Sequence, residues 1–218
     1  LNWAAKKGHT ECVRLLLAAP GININQANLN GYTPLNTAAA NGHTDCVRLL
    51  LAAPGIDVNK ANFYGDTPLS SAADKGHTEC VRLLLGVPGI NVNQENKYGD
   101  TPLFAAIEEG HTECVRLLLA EPEINVNQAD EYGNTPLYWA EKRNHTECAA
   151  LIRAAGGIPE SAAIKLKQMG ISPEQYNSSL HTAAQDGDAV KVRLLIAAGA
   201  NVNTKDKEGS TPLLRAAE

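Results

Sequence analysis

The sequence has few aromatic residues and no long apolar segment. Aromatic side chains make up 5% of the 218 residues, too few to fill one large globular core, although 44% of the residues are apolar. The longest uncharged apolar stretch, residues 15–22, contains Pro20 and Gly21. A membrane-spanning helix needs about 20 consecutive apolar residues, so we expect no membrane insertion.

The sequence also lacks an excess of basic charge and any recognisable catalytic motif. With 19 basic and 24 acidic residues, its formal net charge is −5, which argues against nonspecific binding to nucleic acid. It contains no Gly-rich phosphate loop, no Ser-His-Asp order and no His-Glu-x-x-His zinc motif. We therefore predict a protein that is not an enzyme, with no catalytic residue, no bound metal and no cofactor.

A repeat of 34 residues runs through most of the chain, which is typical of a solenoid. Four Thr-Pro-Leu triplets, beginning at Thr33, Thr67, Thr101 and Thr135, have this spacing. The same spacing separates five cysteines and five histidines: Cys12, Cys46, Cys80, Cys114, Cys148, His9, His43, His77, His111 and His145.

Each repeat has the pattern of two short helices followed by an extended segment. In residues 63–96, Thr67 is a hydroxyl N-cap, and Pro68 takes the first helical position, where a missing N–H costs nothing. Gly76 ends this first helix. Residues 80–85 then supply the apolar face of a second helix, and residues 90–93 alternate apolar and polar side chains as in a short extended segment.

The stretch GDTPLSSAADKGHTECVRLLLGVPGINVN, Gly65–Asn93, resembles the ankyrin repeat consensus. The resemblance includes Gly-x-Thr-Pro-Leu, Ala-Ala, Gly-His, the leucine triplet and the Val-Asn pair. It implies a mainly α fold, an ankyrin-repeat solenoid of stacked antiparallel helix pairs with projecting β-hairpins. It also implies that the usual role is binding other proteins.

The repeat pattern is interrupted once, between Ile158 and Leu180. Residues 161–169 predict a short helix that stops at Gly170, and Ser172-Pro173-Glu174-Gln175 is a strong helix start. We therefore expect one irregular helical insertion in place of a hairpin. The predicted units are a partial repeat (1–28), four repeats (29–62, 63–96, 97–130 and 131–158), the insertion (159–179), a divergent repeat (180–205) and a partial repeat (206–218).

The periodic cysteines and histidines are better explained by packing than by chemistry. Stacked helices lie about 8–10 Å apart, whereas a disulfide needs Cα atoms within about 7 Å. We therefore expect all five cysteines to be buried and reduced, which favours a cytoplasmic location. The histidines and cysteines of neighbouring repeats are too far apart to share a zinc ion, and we expect each histidine to hydrogen-bond between adjacent loops.

The positions that contact partners in ankyrin repeats are the hairpin tips and the exposed ends of the first helices. Here they carry exposed aromatic residues, an acidic centre and basic ends, a composition that favours a protein partner with basic and apolar groups. The candidate partner-binding residues are Tyr32, Phe63, Tyr64, Asp66, Asp74, Tyr98, Asp100, Phe104, Glu108, Glu109, Tyr132, Tyr138, Trp139, Lys142 and Arg143.

We therefore predict a noncatalytic interaction module that binds another protein through its concave groove and is a monomer. The alternative is an architectural spacer or scaffold region of a larger effector or enzyme. An enzyme would need a catalytic pocket in residues 158–180, which contain no suitable set of side chains. Nucleic acid is not expected as a partner, because the groove positions mix basic with acidic residues.

Overall fold

The computed structural model describes residues 1–158 and 162–217, which form a series of short helices. Within these residues, no helix is both long and apolar enough to cross a lipid bilayer. The α-helices are α1 (Asn2–Lys6), α2 (Thr10–Leu17), α3 (Pro34–Ala40), α4 (Thr44–Leu51), α5 (Pro68–Asp74), α6 (Thr78–Leu85), α7 (Pro102–Glu108), α8 (Thr112–Leu119), α9 (Pro136–Lys142), α10 (Thr146–Ala154), α11 (Ala162–Gln168), α12 (Tyr176–Gln185), α13 (Ala189–Ala197) and α14 (Pro212–Arg215).

Each Thr-Pro-Leu triplet begins a helix, as predicted. Thr67 caps α5 by accepting a hydrogen bond from the backbone N–H of Ser70, and Pro68 is the first helical residue. In α3 the cap is reciprocal, because the side chain of Asn36 also accepts from the backbone N–H of Thr33 at 3.0 Å. The helices that begin with a capping threonine followed by proline are α3, α5, α7, α9 and α14.

First helices of successive repeats pack on one another, and so do second helices, which builds a continuous core from α1 to α10. Leu35, Leu69, Leu103 and Leu137 follow the proline in successive first helices, and each is at most 1% exposed. Burial of a leucine side chain contributes roughly 1.5–3 kcal/mol relative to an exposed position. The helix-rich solenoid predicted from the repeat is thus confirmed.

Two sets of polar contacts join successive repeats outside this core. Asn59 donates to the carbonyl oxygen of Gly89 at 2.8 Å and accepts from the backbone N–H of Asn91 at 2.9 Å. Asn25, Asn93 and Asn127 each make the same pair of contacts with the repeat that follows. These four asparagine side chains therefore satisfy backbone groups of the loop in the following repeat.

The periodic histidines form the second set of contacts. The Nε2 atoms of His43, His111 and His145 lie 3.0–3.3 Å from a carbonyl oxygen at the end of the preceding first helix. The His111 ring also lies directly over Gly76, where a Cβ atom would be 2.5 Å from Nδ1. The prediction that each periodic histidine joins adjacent repeats is thus confirmed for His43, His111 and His145. No group of three or more metal-binding side chains occurs in the described residues.

The predicted hairpins are present as tight turns, which we call tips: residues 28–32, 62–66, 96–100, 130–134 and 206–210. In the tip at 96–100, the N–H of Asn96 donates to the carbonyl oxygen of Asp100 at 2.9 Å, and the first and fifth residues of the other tips pair in the same way. One backbone hydrogen bond joins the first tip to the second, Phe63 N–H to Asn30 O at 3.2 Å, and one joins the second to the third, Lys97 N–H to Tyr64 O at 2.9 Å. Because single bonds do not form a ladder, no strand is assigned in residues 1–158 and 162–217.

The irregular segment is helical where it is described. Of the helix predicted over residues 161–169, Ala162–Gln168 is present, and Ser161 lies outside the described residues. Gly170 follows with a φ of +76°, and the N–H and hydroxyl of Ser172 both donate to Gln175 before α12. The buried residues of α11–α13 form a core cluster separate from that of α1–α10, so the insertion divides the core in two.

One of the five thiols departs from expectation. Cys46, Cys80, Cys114 and Cys148 are buried and unpaired, as predicted, but Cys12 is exposed, so its predicted burial was wrong. Each buried sulfur lies 3.5–3.8 Å from a threonine hydroxyl of the preceding second helix. In the described residues, no second helix precedes Cys12 to cover it.

We expect this difference in burial to appear as a difference in thiol reactivity. Under native conditions, a disulfide-exchange reagent should modify Cys12 rapidly and the four buried thiols slowly. Burial also raises the pKa of Cys46, Cys80 and Cys114, which lowers their thiolate fraction. Titration in denaturant without reductant should find five reactive groups. Equal native reactivity of all five would contradict the packing of the thiols described above.

Candidate protein-binding surface

The tips and the first helices enclose a concave groove that contains two adjoining cavities. The first, of about 320 Å³, lies between the tips at Tyr64 and Tyr98, and the second, of about 210 Å³, lies between the tips at Tyr98 and Tyr132. Tyr98, Asp100 and Glu108 line both cavities, so the two form one continuous surface. We call this surface the groove.

Aromatic side chains form the rim of the groove. Tyr64, Tyr98 and Tyr132 are 50%, 54% and 76% exposed. Each is the third residue of its tip. In the tip at 96–100, Asn96 Oδ1 accepts from the backbone N–H groups of Tyr98 at 2.9 Å and Asp100 at 3.0 Å. The backbone of the tip is therefore held by its own asparagine or aspartate, and the tyrosine side chain remains available at the surface.

The groove is strongly acidic. Six carboxylates line its two cavities, and the one basic residue that lines them, Lys75, is paired with Asp74 at 2.9 Å. Burial raises the pKa of Asp100, and repulsion by Glu108, Asp130 and Asp66 raises it further. The six carboxylates are Asp66, Asp74, Asp100, Glu108, Asp130 and Glu131.

A network of fixed contacts closes the end of the groove nearest α9. The indole N–H of Trp139 donates to Asp130 Oδ2 at 2.8 Å. The ammonium of Lys142 lies 4.4 Å from the centre of the Trp139 ring, and Arg143 pairs with Glu108 at 2.5 Å. The basic residues predicted at this end therefore lie at an exposed edge beside the acidic cavities.

The structure brings ten of the fifteen candidate residues together as lining of the groove. Phe104 is only 5% exposed and forms part of the floor of the second cavity, so a partner contacts it only by entering that cavity. Phe63 instead packs against the tip at Gly31, and Lys142 and Arg143 lie at the edge. The lining residues are Tyr32, Tyr64, Asp66, Asp74, Tyr98, Asp100, Phe104, Glu108, Tyr132 and Trp139, whereas Phe63, Glu109, Tyr138, Lys142 and Arg143 lie outside the lining.

Sequence reasoning missed Asp130, which is both a lining residue and the acceptor for Trp139. A signal was present in the repeat, because the equivalent positions 62 and 96 hold asparagine. The carboxylate at position 130, in place of the amide found at 62 and 96, removes a donor and adds a negative charge to the groove.

A larger cavity than these two, about 1080 Å³, lies elsewhere, along α12, α13 and α14. Its walls are mainly apolar, with Leu180, Val192, Ile196 and Leu213 among them. It lacks the combination of exposed tyrosines and carboxylates that distinguishes the groove, and its shape identifies no occupant.

Comparison with known families agrees with this architecture. A model of three ankyrin repeats matches residues 1–96 and 87–162, and a model of a single ankyrin repeat matches residues 175–207. The chain belongs to the ankyrin repeat family. Ankyrin repeats generally mediate protein–protein interactions, and proteins built from them are typically noncatalytic. None of the curated proteins compared matches the chain.

Proposed function

We propose that the chain is a noncatalytic interaction module, acting as a monomer, that binds a partner protein in the groove. The observation that carries this proposal is the placement of Tyr64, Tyr98 and Tyr132 along the rim of an acidic cavity pair. Exposed tyrosines are frequent anchors of protein interfaces, because they bury a large area at a small cost in conformational entropy.

The charge of the groove defines the chemistry of the partner. Six lining carboxylates face one paired lysine, so a partner segment with Lys or Arg beside apolar side chains is electrostatically complementary. A strongly acidic partner would be repelled. The free thiols fit a reducing compartment, and we propose a cytoplasmic location.

Selection from a displayed library of random peptides tests this proposal directly. The intact chain is immobilised, and bound peptides are counter-selected against a variant with Tyr98→Ala and Tyr132→Ala. We expect peptides specific to the intact chain to combine basic with apolar residues. A matched control variant, Arg48→Ala with Arg82→Ala on the second helices, should retain these peptides, because both arginines lie outside the groove lining.

Two outcomes would contradict groove binding. Peptides that bind the groove variant but not the second-helix variant would place the interface on the other face of the solenoid. Failure of the folded chain to select any peptide or partner would favour the alternative function, an architectural spacer within a larger protein.

A further inference from the structure

Two equivalent aspartates in the groove differ in how well they are hydrogen-bonded. Asp66 accepts from Asn62 Nδ2 at 3.2 Å in its own tip and from Asn96 Nδ2 at 3.1 Å in the next tip. Asp100 is one repeat further along, and its carboxylate accepts one side-chain hydrogen bond in the described residues, a long one of 3.4 Å from Asn96.

The cause of this difference is Asp130. It stands where the repeat pattern would place an asparagine to donate to Asp100, and a carboxylate cannot donate. Asp130 itself is satisfied, since Oδ2 accepts from Asn134 at 3.0 Å and from Trp139 at 2.8 Å. The second cavity therefore holds one under-bonded carboxylate, Asp100, beside a second negative charge.

The walls of the second cavity are aromatic as well as acidic. Tyr98, Phe104, Tyr132 and Trp139 line it together with Asp100 and Glu108. The carboxylates do not converge as a metal site, because no group of three or more such ligands is found in the described residues. Aromatic faces and separated carboxylates instead suit an organic cation, which the rings attract through their negative faces. Trp139 already shows this attraction toward Lys142.

We propose that the second cavity is a subsite for one lysine side chain of the partner, with its ammonium placed between Asp100 and Glu108. This inference rests on the proposed function for the identity of the ligand as part of a protein. It adds the position in the groove at which the basic residue binds. It also gives Asp130 a role: because it is not an asparagine, it donates no hydrogen bond to Asp100.

The arrangement of the acceptors favours lysine over arginine. Asp100 belongs to a tip and Glu108 to the end of α7, so the two acceptors come from separate elements, and Glu108 keeps Oε2 while Oε1 pairs with Arg143. An ammonium directs three donors in different directions, whereas a guanidinium fork matches one carboxylate or two coplanar acceptors.

A small probe tests the subsite independently of any partner. The intact chain is titrated at low salt with Nα-acetyllysine methylamide, with the arginine analogue and with the uncharged norleucine analogue. The chain contains two tryptophans, so its NMR spectrum has two indole N–H signals. We expect the lysine probe to shift the Trp139 signal in a saturable manner and to leave Trp3 unchanged. The norleucine probe should shift neither signal, and the arginine probe should saturate at higher concentration.

Matched charge removals complete the test. Asp100→Asn should weaken binding of the lysine probe by about fivefold, the upper end of what a partly exposed ion pair contributes. Asp45→Asn removes the same charge from the exposed start of α4 and should leave the affinity unchanged.

Three results would overturn the subsite: no shift of Trp139 with the lysine probe, equal affinity for lysine and norleucine probes, or equal effects of the two aspartate variants. Tighter binding of the arginine probe would replace lysine with arginine and overturn the stated preference. Peptides selected by the groove in spite of any of these results would leave the proposed function standing while removing the subsite.

Discussion

Substitution of Gly76 by alanine is expected to destabilise the chain by about 3 kcal/mol. Gly76 has a φ of +67°, and a Cβ atom there would lie 2.5 Å from Nδ1 of His111 in the next repeat. A left-handed backbone costs a residue with a Cβ atom roughly 1–2 kcal/mol, and forcing an extra carbon into a packed contact typically costs roughly 1–3 kcal/mol. Urea unfolding of the intact chain measures the change in free energy.

The chain contains a close control for the backbone part of this cost. Gly89 has a φ of +81°, and nothing lies within 4 Å of the position its Cβ would take. Gly89→Ala should therefore cost only the backbone penalty of about 1–2 kcal/mol. Equal destabilisation by the two substitutions would show that the histidine ring does not restrict Gly76.

A double substitution separates the contact from the backbone. His111→Ala removes the ring and also a 3.1 Å contact between Nε2 and the carbonyl oxygen of Asp74. If the ring and the new Cβ collide, His111→Ala should cost less in the Gly76→Ala background than in the unchanged chain. Strictly additive costs would count against a steric coupling between these repeats.

This coupling illustrates what sequence could and could not predict about the fold. The spacing of Thr67 and Pro68 predicted the start of α5, and Gly76 predicted its end, because capping depends on neighbours along the chain. The contact of Gly76 with His111 joins residues 35 positions apart. Its distance depends on how closely two repeats stack, which a single sequence does not specify.

Burial was predicted well where every repeat has neighbours on both sides. Cys46 and Cys80 are buried because a preceding second helix covers each of them, whereas Cys12 has no such cover in the described residues and is exposed. A periodic pattern assigns the same environment to every copy of a residue, so it does not distinguish Cys12 from the other four cysteines.

The candidate site was predicted in outline but not in its internal contacts. The positions of Tyr98 and Asp100 in the tip follow from the repeat, and both line the groove. The depth of Phe104 depends on how α7 packs against the next tip, and the bond from Trp139 to Asp130 depends on how α9 packs against the tip that precedes it. The hydrophobic pattern of a sequence predicts which face of a helix is apolar. It does not predict which polar atoms form hydrogen bonds with one another.

Removal of two rim tyrosines is expected to have the largest effect on binding. Tyr98→Ala and Tyr132→Ala should each weaken binding of a groove-selected peptide by about 1–2 kcal/mol, or roughly fivefold to thirtyfold in Kd. Both side chains are more than half exposed, and their turns are held by Asn96 and Asp130 through backbone N–H groups. Stability should therefore change by no more than about 0.5 kcal/mol.

Calorimetric titration of the peptide and urea unfolding of each variant measure the two quantities separately. Arg82→Ala on α6 is the control, because this exposed arginine pairs with Glu79 of its own helix at 3.4 Å and lies outside the lining of both cavities. It should change neither affinity nor stability by more than about 0.5 kcal/mol. A peptide that tolerates both tyrosine changes but loses affinity with Arg82→Ala would move the interface from the groove to the second helices.

Comparison of the tyrosine variants, single and combined, shows whether one ligand spans both cavities. Tyr98 lines both cavities, whereas Tyr132 lines only the second. A peptide long enough to fill both should respond to Tyr98→Ala more strongly than to Tyr132→Ala, and a Tyr64→Ala change should also weaken it. A peptide confined to the second cavity should be insensitive to Tyr64→Ala, and the costs of the Tyr98 and Tyr132 changes should then be non-additive, because both side chains enclose the same bound group.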